Sequence, residues 1–310
     1  MTIDKKWFQN KIEKFLLEDE ANKMTGVDGA FIFDPTPPIL VGFCDGNDPI
    51  FEEYKEIIGS FHLTPAEAYT KYCEKNKIPC STENISVIAF VLPAMKATKK
   101  DNLEYSKDWP SERWAHTRLY GERANKKLWL HLLTELKKEE GIDGVAPMVE
   151  TYMFKMFDVQ KGKGDNPAST WSHRHMAFAA GLGSFGWSDG FLNEKGKAMR
   201  CGSLIINYKL PSDADKRPPD PYYYCLKCGE CAKRCPVDAI RPNDPTNGTI
   251  HDKVTCRDKV MDTIPYIGKH YKIPIYGCGL CQVGVPCENS LPEGKTPYQG
   301  PDSYRACSKN

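Results

Sequence analysis

Cys225, Cys228, Cys231 and Cys235, followed at once by Pro236, spell C-x2-C-x2-C-x3-C-P. Thiols two residues apart in a tight loop can all turn inward on one body, which suits an iron–sulfur cube. A fourth Cys carried away by a Pro turn reaches a different cube. That geometry calls for a second group of thiols, and Cys256, Cys278, Cys281 and Cys287 supply it. A zinc site would want C-x2-C pairs separated by a loop, which this spacing does not offer. Two 4Fe–4S clusters are therefore expected. Cys225, Cys228, Cys231 and Cys287 would hold one, and Cys235, Cys256, Cys278 and Cys281 the other. Cys287 is the least regular ligand, because Pro286 precedes it instead of following, and Cys307 is a rival for its place.

The remaining composition bounds the setting. A chain of 310 residues has room for one large domain and a small one. A net charge of +1 gives no global footprint for nucleic acid or an anionic membrane. Residues 1–20 hold no apolar signal stretch, and no apolar run is long enough to span a bilayer. A reducing cytoplasm is the expected compartment, with thiols serving metal rather than disulfides. Lys227, Lys233, Arg234, Lys253, Arg257 and Lys259 either offset cluster charge or form a solvated basic surface. Cys44, Cys73, Cys80 and Cys201 lack ligand spacing and read as buried small hydrophobes.

Along the chain, Phe8, Ile12, Phe15 and Leu16 share one face of an amphipathic helix. Residues 30–44 hold two short apolar runs, both expected as strands. Residues 86–95 are nearly all apolar, the mark of a strand covered on both faces. A long helix is predicted over 111–140, with Leu128, Leu132, Leu133 and Leu136 inward and Gly141 as its stop. Residues 145–157 read as another strand. A short helix ends at Gly181, and a strand follows at 203–208. The pattern predicts an α+β (α/β) domain over 1–215 that binds cofactor and substrate. Residues 216–310 form a second domain resembling a bacterial ferredoxin.

Outside the cysteines the signals are individually weak. Gly181, Gly183 and Gly186 form G-x-G-x-x-G after a helix instead of opening one, so they fit a helix cap and tight loop as well as a close approach to a cofactor. His173 and Arg174 stand where both can line a cleft edge. Arg174 can clamp a carboxylate or phosphate, or make a surface ion pair. Tyr120, Tyr152 and Asp165 are candidate proton donors. Arg200 and Ser203 are further candidate cofactor contacts.

The blocks HRHMAFAAGLGSFGWSDG, C-x2-C-x2-C-x3-C-P and IYGCGLCQVGVPCE, in this order, resemble the epoxyqueuosine reductase and reductive dehalogenase superfamily. The resemblance covers roughly residues 39–290. It implies a nitroreductase-like first domain, and electrons passing from a ferredoxin or flavodoxin through both cubes to base-off cobalamin. It further implies reductive cleavage of a carbon–oxygen or carbon–halogen bond, in a small molecule or modified nucleoside. Arg174 matches the family's arginine, and Gly181, Gly183 and Gly186 match its glycine loop. The match fails at the catalytic acid, since Pro167 stands at that position and Asp165 lies two residues away. No tRNA-binding helical extension is expected, and nucleic acid is not an expected partner. Two other readings stay open: a ferredoxin-type electron carrier that docks a partner enzyme, and a flavin-dependent reductase.

Overall fold

Every residue of Ser86–Pro93 is buried, and its side chains divide by the two-residue period of a strand between two cores. Ile88, Phe90 and Leu92 face one core, shared with Phe8, Ile12 and Leu16 and with Leu128, Trp129, Leu132 and Leu136. Val87, Ala89 and Val91 face the other, shared with Phe51, Tyr54, Tyr69, Met176 and Phe178. Full burial of each large apolar side chain stabilises the fold by about 1.5–3 kcal/mol.

The computed structural model describes residues 2–157, 167–242 and 250–300. Its elements run α1 (Lys5–Glu18), β1 (Leu40–Asp45), α2 (Ile50–Ile58), α3 (Pro65–Asn76), β2 (Ser86–Pro93), α4 (Lys96–Tyr105) and α5 (Glu112–Glu140). There follow β3 (Gly144–Val145), β4 (Met156–Phe157), β5 (Ala168–Ser169), α6 (His173–Ala179), β6 (Ser184–Phe185) and β7 (Phe191–Leu192). The last elements named are β8 (Met199–Ile206), α7 (Glu230–Lys233) and α8 (Lys253–Tyr271). The main sheet has the order β1-β2-β8-β3 and is antiparallel throughout. The fold is thus a mixture of helix and sheet, with α1 and α5 on one face and α2, α3 and α6 on the other.

Local chemistry sets the ends of the helices. Ser111 caps α5 by accepting the Trp114 N–H, and Gly141 stops it in the left-handed region at φ 68°. Asp4 caps α1 by accepting the Trp7 N–H at 2.8 Å. Two strand expectations are corrected. Phe31 and Phe33 form only isolated bridges, to Lys23 and Ala94. Over 145–157 the ladder ends at Val145, because Pro147 lacks an N–H and starts a 3-10 turn. No described helix is long and apolar enough to cross a membrane.

Gly202 pairs with Phe90 at the centre of the sheet. A Cβ there would lie 2.2 Å from Phe90 Cζ and 2.7 Å from Trp129 Nε1, both in a packed core. Gly202→Ala is expected to destabilise the protein by about 1–3 kcal/mol through overpacking. Denaturant unfolding measures this, and an unchanged midpoint would show that the Phe90–Trp129 layer yields freely.

Candidate functional site

The cysteines gather into two groups. Cys225, Cys228, Cys231 and Cys287 line one small apolar hollow, together with Gly186, Trp187, Leu192 and Lys197. Burial pushes the Cys231 thiol up to about 11 against the pull of Lys197, and Cys281, Cys287 and Cys225 add to the rise. Burial likewise raises Cys287, with Cys225 and Cys228 as its thiol neighbours. The loop that presents these thiols turns through left-handed backbone at Lys227 and Gly229, just before α7. Residues 225–231 can therefore point inward together.

Cys235, Cys256, Cys278 and Cys281 form the second group. Burial pushes Cys256 up to about 12, with Cys281, Cys278 and Cys235 adding to the rise. Burial also takes Cys278 up to about 11, with Cys281 and Cys235 among its neighbours. Such thiols ionise only when a metal takes the proton's place. Ala239 N–H points at Cys235 Sγ at 3.3 Å, a contact of the type that tunes cluster potential. Among the described residues, no three His, Cys, Asp or Glu side chains converge tightly enough for a single metal ion. Cys307 lies outside the described residues.

All four thiols of the second group open onto a cavity of about 1780 Å³. Its walls come from α2, the β4–β5 hairpin, α6, residues 214–222 and α8. Its rim is apolar: Ile57 is 69% exposed, and Phe61 packs on Phe157 with tilted rings whose centroids lie 4.2 Å apart. Its polar side holds Arg174, His175, Asp189, Arg217 and His251. The Arg174 guanidinium donates to the Asp189 carbonyl. His251 Nδ1 lies 2.8 Å from Asp189 Oδ2, and Lys253 Nζ lies 3.5 Å from the same oxygen. Burial works to raise the Asp189 carboxyl, but His251, Lys253 and Arg174 outweigh it and hold the group below the usual carboxylate range. His175 is pushed down to about 3 by burial, with Arg174 reinforcing the effect, so its imidazole is neutral at neutral pH.

The structure separates the other residues singled out from the sequence. Of the described candidate catalytic and cofactor-binding residues, only Arg174 lies on the cavity wall, where the basic residues Lys253, Arg257 and Lys259 also stand. His173 packs on Trp129 at 4.6 Å and bonds Ser203 Oγ through Nδ1 at 2.6 Å. Burial lowers it to about 4. Ser203 also accepts the Trp171 indole N–H at 3.1 Å, so both residues serve the core beneath the cavity. Arg200 donates to Glu122 at 3.0 Å and to the Arg118 carbonyl, on the α5 side of the sheet. Tyr120 packs beside the first core, and Tyr152 beside the second. Burial takes the Tyr152 hydroxyl up to about 12. Gly181 and Gly183 press against the Asp213 and Leu192 carbonyls, and Gly186 lies by Cys225. None of the three meets the cavity. Asp165 lies outside the described residues. Cys44, Cys73 and Cys201 are buried, whereas Cys80 is exposed and corrects that expectation.

Of the six basic residues, Lys259 works against the rise in the Cys278 pKa and Arg234 against that of Cys281. Lys197, Trp114 and His251 carry no motif, and Asp189 stands in the glycine-rich block without having been singled out. Gly279 packs directly on the Trp114 ring, so the indole sits against the turn that separates Cys278 from Cys281.

The 4Fe-4S binding domain family matches residues 222–241. An epoxyqueuosine reductase of Lactococcus garvieae is 30% identical over 133 residues, 41% of this chain and 35% of that protein. One of Francisella cf. novicida is 31% identical over 129 residues, 38% of this chain and 33% of that protein. The chain spans about a third of the length of these curated relatives. Among solved structures, a catabolic reductive dehalogenase has 15% identity and a TM-score of 0.49, covering 92% of this chain and 36% of that one. Epoxyqueuosine reductase from Bacillus subtilis has 18% identity and a TM-score of 0.44, covering 84% and 64%. Over about two-fifths of its length this chain is thus similar to two curated epoxyqueuosine reductases.

Proposed function

We propose that this chain is an iron–sulfur reductase with two 4Fe–4S clusters, one in each thiol group, and a corrinoid in the cavity. The observation that carries the reading is the position of the second thiol group in the wall of the 1780 Å³ space. Cys228 is exposed, which suits entry of electrons at the first group from a ferredoxin or flavodoxin. The neighbouring thiols Cys231 and Cys281 bring the two groups side by side. Electrons therefore have a short route from the protein surface to the cavity.

The cavity exceeds the roughly 300–1,000 Å³ of ordinary small-molecule sites, so it has room for a macrocycle and a substrate together. Ile57, Phe61 and Phe157 would cover apolar faces, and Arg174 would hold a polar substituent. A corrinoid would supply a low-potential cobalt centre at this position. The reaction class is reductive cleavage: a carbon–oxygen or carbon–halogen bond breaks, carbon gains a hydrogen, and the leaving group departs with an electron pair. The balance requires a pair of electrons, delivered one at a time through the clusters, and one proton. His251 is our candidate for moving that proton. The Asp189 carboxylate fixes its Nδ1, leaving the other ring nitrogen for exchange. The nitroreductase-like reading of residues 1–215 is supported by the antiparallel sheet with helices on both faces, ahead of a ferredoxin-like 216–310. The substrate is a small organic molecule or a modified nucleoside, and the setting is cytoplasmic.

Anaerobic purification with cobalamin supplied is expected to give near-stoichiometric cobalt alongside the iron, visible in the absorption spectrum. Iron with neither cobalt nor flavin would sink the reductase reading and favour an electron carrier. Cys287→Ala is expected to lose roughly half of the iron, while Cys307→Ala keeps it. The reverse pattern in iron analysis would move the fourth ligand to Cys307. His251→Gln is expected to lower kcat by about 10²–10⁴-fold at unchanged iron content. Wild-type turnover in that variant would remove His251 from the proton path.

A further inference from the structure

Lys197 lies in the loop between β7 and β8 and is only 3% exposed. Its ammonium donates to the Cys281 carbonyl at 2.9 Å, and its own N–H donates to the Cys287 carbonyl at 2.8 Å. The same side chain lines the hollow of Cys225, Cys228, Cys231 and Cys287. It therefore touches both thiol groups. Among the described residues it has no carboxylate in ion-pair contact. A buried ammonium without a counter-charge is costly, and a protein keeps one where another negative body faces it. Thiolate-ligated cubes are such bodies. The chain also makes room for this stem: a Cβ at Gly190 would lie 2.4 Å from Lys197 Cε.

We propose that Lys197 is a positioning residue for electron transfer, a single buried cation shared by both clusters that holds both reduction potentials up. The inference rests on the two-cluster reading above. Adding an electron makes a cube more negative, so a fixed positive charge at its edge favours the reduced state. One cation placed between two cubes biases both in the same direction.

The test uses full-length protein purified anaerobically, with iron content measured first and both clusters then titrated by mediated potentiometry with electron paramagnetic resonance. Lys197→Met and Lys197→Gln are expected to lower both midpoint potentials at unchanged iron, and Lys197→Arg to restore them. Loss of iron from both neutral variants but not from Lys197→Arg also supports a requirement for charge. Unchanged midpoints at full iron, a shift of one cluster only, or equal loss of iron in Lys197→Arg would overturn the role of Lys197. Wild-type protein holding iron for a single cluster would instead overturn the two-cluster reading, before any variant is compared.

Discussion

The peptide carbonyls around the second thiol group are claimed by side chains from distant parts of the chain. Asn102 of α4 donates to the Cys278 carbonyl at 3.3 Å, Arg234 to Leu280 at 3.3 Å, and Lys197 to Cys281 at 2.9 Å. Gly277 N–H is taken by Thr263 of α8 at 3.0 Å. Apart from the short 3-10 turn at Leu280–Gln282, this loop has no ladder to hold its backbone, so its polar groups must be satisfied one by one. Here that obligation fixes the positions of Cys278 and Cys281 to the sheet domain. The geometry of the sulfurs depends on these bonds more than on any property of the cysteines. Removing one donor from such a buried pair leaves a carbonyl unsatisfied, at a cost of about 1–3 kcal/mol.

The same economy of polar contacts shapes the cavity. Its imidazole nearest the core, His175, is kept neutral by burial, while Asp189 is kept charged by three basic neighbours. Arg217 pairs with Asp48 through both guanidinium nitrogens at 3.3 Å, closing the α2 side of the wall. Titratable groups in one space are thus driven to opposite states by their surroundings. That is the arrangement by which a site assigns separate roles to a neutral hydrogen-bonding group and an ionised one. Arg174, held only by a backbone carbonyl among the described residues, keeps its charge available to the space in front of it.

How far the sequence revealed this depends on whether a feature is local. The 2-2-3 thiol spacing, the Ser111-to-Gly141 helix and the doubly covered strand at Ser86–Pro93 are fixed by neighbours in the chain, and all are legible. Residues 145–157 misled because their apolar content suits a strand, while Pro147 removes the donor that a ladder requires. Arg200 and Ser203 stood near the motif in sequence, yet β8 turns Arg200 toward α5 and packs Ser203 beneath Trp171. His251 and Lys197 were invisible for the opposite reason. Neither belongs to a pattern, and each gains its meaning from a partner about 60 to 90 positions away.

The glycine-rich block shows how one signal supports two readings with different chemistry. From sequence, Gly181, Gly183 and Gly186 fit a cradle for a cofactor. In the fold their missing side chains let the sheet domain approach its own chain. Gly183 meets the Leu192 carbonyl, Gly186 the Cys225 sulfur, and Gly190 the stem of Lys197. Gly196, at φ 84°, would drive a Cβ to 2.1 Å from the Glu288 carbonyl, next to Cys287. The same stretch that carries Lys197 into the first hollow is therefore the one whose glycines permit contact with the cysteine segments. Close approach is the common requirement, and what the backbone approaches here is the thiol scaffold. In the proposed reductase, packing between these two parts of the chain would set the distance across which an electron passes, and these glycines permit that packing.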